Sequence, residues 1–157
     1  MAIVRILVDG YSLIHSWPEL APGTPRHSMA ARDELISWLT RYQDAIGTPI
    51  TVVFDGAGAA KGIEPPVSSR ELEVLYSKNG QTADDVIERV THRLLAYGGV
   101  VVVTDDHAER ETVVALGGST SRCDQFRIAM SNALDEVRED ISRLKRRDRV
   151  ALNRPNF

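Results

Sequence analysis

The sequence predicts an α/β fold with a mainly parallel sheet covered by helices on both faces. Three short apolar runs carry the prediction: IVRILVD from Ile3 to Asp9, PITVVFDG, and VVVVTDD. Each is rich in β-branched residues and short enough to be a buried strand. Amphipathic stretches with helical spacing separate and follow them. All three runs also end in aspartate, which would put acid along one edge of such a sheet.

In chain order, Ile3 to Asp9 is the first strand, and the loop after it holds Pro18, Pro22, Gly23 and Pro25. Ser28 is a good N-cap for a helix in which Leu35, Leu39, Tyr42 and Ile46 recur at helical spacing, and Gly47 stops it. PITVVFDG is the second strand and ends at Asp55, and the Gly/Pro-rich AGAAKGIEPPVSSR that follows reads as loop. Leu72, Val74 and Tyr76 alternate with polar residues, which favours a short half-exposed strand. Val86, Ile87, Val90, Leu94 and Tyr97 mark a helix closed by Gly98 and Gly99. VVVVTDD is the third buried strand, and a short helix from about His107 to Leu116 precedes Gly117 and Gly118. Phe126, Met130, Val137, Ile141 and Leu144 line one face of a long helix beginning near residue 121, with Ser121 and Asp124 as its capping box. No repeat or linker breaks the pattern, so residues 1–157 are expected to form a single domain.

Composition excludes several classes. With 43% hydrophobic and 26% charged residues, the chain is an ordinary globular one. Its apolar runs are far shorter than the roughly 20 residues a bilayer requires. Asp9 interrupts the N-terminus before a signal-peptide core could form, so a cytoplasmic location is expected. Cys123 is alone, which excludes a disulfide framework and a cysteine-based zinc site. The net charge of −3 does not exclude nucleic acid. Asp9, Asp55, Asp84, Asp85, Asp105 and Asp106 converge on the expected sheet edge, and without those six the chain carries +3. The tail from Arg143, RLKRRDRVALNRPNF, is basic.

In a parallel sheet the carboxyl ends share an edge, and ligands bind in the crevice there. Asp-Gly after a strand is also ordinary turn chemistry, so any one of these acids has a structural explanation. Their convergence is harder to explain that way, because clustered carboxylates repel unless a cation neutralises them. Hard oxygen ligands suit Mg²⁺ or Mn²⁺, and such an ion can activate water and stabilise a phosphodiester transition state. The stretch TADD, Thr82 to Asp85, can serve as cap and ligand at once: Thr82 and Asp85 would start the helix while Asp84 points into the cleft.

VDGYSLIHSWPEL, VVFDG, SKNGQTADDVIERV and VVVTDDHAERE, in this order and spacing, resemble the NYN/PIN-like ribonucleases, specifically the YacP-like group. The likeness runs from Ile3 to the long C-terminal helix. It implies a PIN-like three-layer α/β/α sandwich and a metal-dependent endoribonuclease cleaving mRNA in association with the ribosome. Carried over by position, Asp9, Asp84 and Asp106 match the family's catalytic acids, and Asp55 matches the acid of the FD pattern. Thr104 stands beside Asp106, and Asp105 replaces a small hydroxyl residue. Ser12 replaces the usual Asn and keeps a hydrogen-bonding group.

Tyr11 and Trp17 could stack on unpaired bases or fill core gaps. Lys61 and Lys78 flank the expected cleft and could position RNA backbone. Arg143, Lys145, Arg146, Arg147 and Arg149 could contact phosphates or form a solvated helix end. His15, His27, His92 and His107 share no metal-ligand spacing and read as ordinary histidines. The leading function is therefore a Mg²⁺- or Mn²⁺-dependent endoribonuclease acting on single-stranded RNA. The alternatives are a catalytically silent RNA- or ribosome-binding protein and a Mg²⁺-binding receiver-like signalling domain.

Overall fold

The computed structural model describes residues 2–56 and 72–153. Its sheet has five strands, paired in parallel throughout, in the order β3-β2-β1-β4-β5. The strands are β1 (Ile3–Asp9), β2 (Ile50–Phe54), β3 (Leu72–Tyr76), β4 (Gly99–Val103) and β5 (Ser119–Ser121). The helices are α1 (Gly10–His15), α2 (Met29–Ile46), α3 (Ala83–Leu94), α4 (His107–Leu116) and α5 (Cys123–Leu152).

Alternation along the strands sorts side chains into two cores. Ile6, Val8, Ile50, Val52 and Phe54 pack with Leu13 of α1, Leu35 and Leu39 of α2, and Phe126 and Met130 of α5. Leu7, Val53, Val100 and Val102 turn the other way, onto Ala83, Val86 and Ile87 of α3 and Val113 of α4. The outcome is the expected three layers. Leu7, Leu13, Leu35, Leu39 and Ile87 are fully buried, each stabilising the fold by about 1.5–3 kcal/mol relative to exposure. β2 is buried at every position because both faces are covered.

Strand order bears on function. A receiver-like sheet runs 2-1-3-4-5, whereas here β1 sits between β2 and β4. That corrects the signalling alternative, which needs the other topology.

Other departures have local causes. The loop expected after Asp9 begins with α1, a helix too short to show a periodic stripe. β5 consists of Ser, Thr and Ser and has no apolar pattern to reveal it. α3 stops at Leu94, leaving Tyr97 80% exposed rather than on the buried face. The capping box expected at Ser121 and Asp124 does not form. Arg122 is the N-cap of α5, Ser121 donates to the Arg122 carbonyl, and Asp124 accepts from its neighbour Gln125. Only the start of α5 is covered: Phe126 and Met130 are buried, while Val137, Ile141 and Leu144 are exposed. No helix among the described residues is long and apolar enough to cross a membrane.

Candidate metal centre

The sheet order reverses at β1, with β2 on one side and β4 on the other, and a crevice opens at their carboxyl ends. Asp9 lies there as the last residue of β1 and the N-cap of α1, accepting the Ser12 N–H at 3.4 Å. The glycine after it is required by packing rather than by a turn. A Cβ on Gly10 would fall 2.3 Å from the Phe54 ring, and one on Gly56 would fall 2.0 Å from the Ser77 carbonyl oxygen. Both Asp-Gly pairs therefore mark places where a second element passes close to the strand end.

α3 and α4 begin at the same edge. Thr82 and Asp85 close a reciprocal capping box, with Asp85 N–H donating to Thr82 Oγ1 at 3.2 Å and Thr82 N–H donating to Asp85 Oδ2 at 3.0 Å. Asp84 is left uncommitted to the cap. At α4, Asp106 is the N-cap and accepts the Glu109 N–H at 3.1 Å. The Asp106 N–H goes to Thr104 Oγ1 at 3.1 Å, so the Glu109 side chain is not needed for a capping box and turns inward. Carboxylate oxygens of Asp9, Asp84 and Glu109 all lie within 4.8 Å of one another.

Thr104 is fully buried between two of these acids, its Oγ1 lying 3.2 Å from Asp9 Oδ2 and 3.0 Å from Glu109 Oε2. One hydroxyl proton serves one of them, so a second proton is needed to satisfy both contacts. Electrostatics supply it on Glu109. Burial, reinforced by the negative charges of Asp9 and Asp84, pushes the Glu109 carboxyl up to about 9. Burial also raises Asp9, with Asp84 adding to the effect. Glu109 Oε1 is buried and accepts no hydrogen bond from an N–H or hydroxyl group, its polar neighbours being the Asp84 and Asp9 carboxyls. A buried carboxylate oxygen whose polar neighbours are two further acids fits a hard divalent cation.

The other expected residues divide. Asp9, Tyr11, Ser12, Asp55, Asp84 and Asp106 line one pocket of about 600 Å³, together with His27 and the start of α3. Asp55 is oriented by Ser77, whose hydroxyl donates to it at 3.2 Å. Ser12 Oγ accepts the Asp105 N–H at 2.9 Å, pinning the β4–α4 loop to α1. Two expected ligands are used elsewhere. Asp85 is occupied by the α3 cap, and Asp105 accepts the Cys123 N–H at 2.9 Å, capping α5 from outside. Lys78 is exposed, and Lys61 lies outside the described residues. Arg146 and Arg147 are exposed on α5, and a rise of about 1.5 Å per residue puts Arg146 about 35 Å along the axis from Cys123. Cys123, 3.6 Å from Ser12 Oγ, is no nucleophile, because burial pushes its thiol up to about 12.

Glu109 was missed by sequence reasoning, although its signal was present. Asp106-His-Ala-Glu109 has capping-box spacing, and a carboxylate three residues past an N-cap lies in the first turn beside the strand ends. Thr82→Ala should separate cap from site, costing about 0.5–2 kcal/mol in chemical denaturation and leaving the acid cluster in place.

The sequence matches the YacP-like NYN domain family over residues 6–155. It is 32% identical over 145 residues to the uncharacterized protein YacP of Bacillus subtilis (strain 168), covering 92% of this chain and 81% of that protein. The crystal structure of Rae1 (YacP) from Bacillus subtilis superposes with a TM-score of 0.78 at 28% identity, covering 97% of this chain and 88% of that one. Its W164L mutant gives a TM-score of 0.78 at 24% identity, covering 91% and 84%. The all-parallel sheet and its flanking helices thus have a solved counterpart along most of their length. The chain belongs to the YacP-like NYN domain family, which implies a nuclease-type function related to RNA.

Proposed function

We propose that this protein is a Mg²⁺- or Mn²⁺-dependent endoribonuclease that cleaves single-stranded RNA, with ribosome-associated mRNA as its substrate. One observation carries the reading: oxygens of Asp9, Asp84 and Glu109 converge within 4.8 Å, and Glu109 offers a buried oxygen that accepts from no N–H or hydroxyl group. These three residues would hold the ion. When bound, it would supply positive charge at the phosphorus and a water of lowered pKa. Thr104 fixes the Asp9 and Glu109 carboxylates. Asp55, held by Ser77, and Asp106, held at the α4 N-cap, line the pocket where the scissile phosphate would enter. Tyr11 and Ser12 line its α1 side, where an unpaired base could stack on the Tyr11 ring.

Incubating the protein with intact and with ribosome-bound mRNA, in Mn²⁺ or in EDTA, tests this reading. Internal cleavage in Mn²⁺, its loss in EDTA and a preference for ribosome-bound message are expected. Binding without cleavage would instead favour the silent RNA-binding alternative.

The basic run of α5 is assigned to RNA phosphates at a distance from the pocket. Arg146→Ala with Arg147→Ala should weaken RNA or ribosome association and flatten its salt dependence, because fewer counterions are released. The rate on saturating substrate should be unchanged. Equal association by variant and wild type across a salt series would leave the run as a solvated helix end.

A further inference from the structure

The acids of the pocket account for a metal, but not for the fate of the departing oxygen. Hydrolysis of a phosphodiester breaks a P–O bond, and the leaving alkoxide needs a proton. Among the described residues lining the pocket, His27 is the side chain that can carry a positive charge. It is also built into place. Arg32, itself buried, donates to the His27 carbonyl at 3.2 Å and to the Tyr11 hydroxyl at 2.9 Å. The His27 ring lies 4.5 Å from the Tyr11 ring, and Tyr11 in turn packs edge-on to Phe54. His15, at the end of α1, faces it with Nε2 3.2 Å from His27 Nε2.

A contact between two ring nitrogens holds one proton, so one imidazole donates while the other accepts. The dyad can carry a single positive charge while that bond lasts, and it is open to solvent on the His15 side. We propose that His27 is the general acid of the RNA hydrolysis assigned to this pocket and that His15 reprotonates it. The inference rests on the nuclease reading. In the step, a water oxygen bonds to phosphorus and its proton is lost to bulk water. The bond from phosphorus to the bridging oxygen breaks, leaving its electron pair on oxygen. His27 gives that oxygen a ring proton and takes one back at Nε2 from His15. His27 is then a catalytic residue and His15 a positioning and relay residue.

The test compares ordinary RNA with RNA whose leaving bridging oxygen is replaced by sulfur, the leaving position being read from the product ends of the wild-type reaction in Mn²⁺. A thiolate departs without needing a proton. His27→Gln should slow cleavage of ordinary RNA by about 10²–10⁴-fold, with RNA affinity retained, and should cleave the sulfur-bridged RNA at nearly the wild-type rate. His15→Asn should show a smaller loss that sulfur also repairs. Both rings are exposed, so the variants should fold, and their melting curves will show it. Equal losses on both substrates, or no loss on ordinary RNA, would overturn the assignment. Failure of the wild type to cleave either RNA would overturn the nuclease reading, and this inference with it.

Discussion

Asp84→Asn is expected to lower RNA cleavage by about 10²-fold or more, the scale of losing one electrostatic group from a reaction centre, without lowering the melting temperature. Asp84 is half-buried in the acid cluster and takes no part in the helix cap, which Thr82 and Asp85 complete by themselves. Its charge raises both Asp9 and Glu109, so its removal relieves repulsion in the metal-free protein. Asp85→Asn should behave in the opposite way. It weakens the reciprocal cap but leaves the three clustered acids and their chemistry intact. Rates on saturating RNA, paired with thermal melts of both variants, give the comparison. An active Asp84→Asn enzyme would return TADD to a purely structural role.

The second large effect is on pH dependence. Unfolded, Glu109 loses its proton near 4.5, and folded it holds the proton to about 9. Between those values the folded state binds more protons, so raising the pH favours unfolding. The stability contribution is complete below about 4.5 and lost as pH rises through about 9. Asp9, raised in the same direction, acts with the same sign. Metal-free protein should therefore melt progressively lower across that window. Glu109→Gln keeps a neutral group there and should flatten the dependence. Mn²⁺ must displace the Glu109 proton, so its stabilising effect should grow with pH in the wild type and largely vanish in Glu109→Gln. Melting curves over a pH series, with and without Mn²⁺, read both effects. A pH-independent Mn²⁺ shift would separate Glu109 from the metal.

Much of the fold was legible because burial writes itself into periodicity. β1, β2 and β4 are apolar runs covered on both faces, and α2 carries its N-cap at Ser28 and its stop at Gly47 as expected. α1 and β5 were not legible, since six and three residues are too few to show a period. On α5 the apolar stripe continues past the part the domain covers, so Val137 and Ile141 read as core and are not.

The site was legible at the strand ends and, through the capping box, at the start of α3. Asp9, Asp55, Asp84 and Asp106 follow from chain order and share the pocket. The capping-box spacing of Thr82 and Asp85 marked Asp85 for the helix start and Asp84 for the cleft, as the structure has them, whereas no comparable spacing separated Asp105 from Asp106. Glu109 joins Asp9 and Asp84 from a helix first turn, and His27 reaches the pocket from the approach to α2, positions that no strand-end pattern marks.

Asp9, Asp84 and Glu109 are proposed to hold one divalent ion. Anomalous diffraction from crystals grown with Mn²⁺ tests this most directly. A peak among these three carboxylates, within coordination distance of an oxygen of each, is the predicted result. A Mn²⁺ peak bound instead at Asp85 or Asp105, with none between Asp9, Asp84 and Glu109, would contradict it.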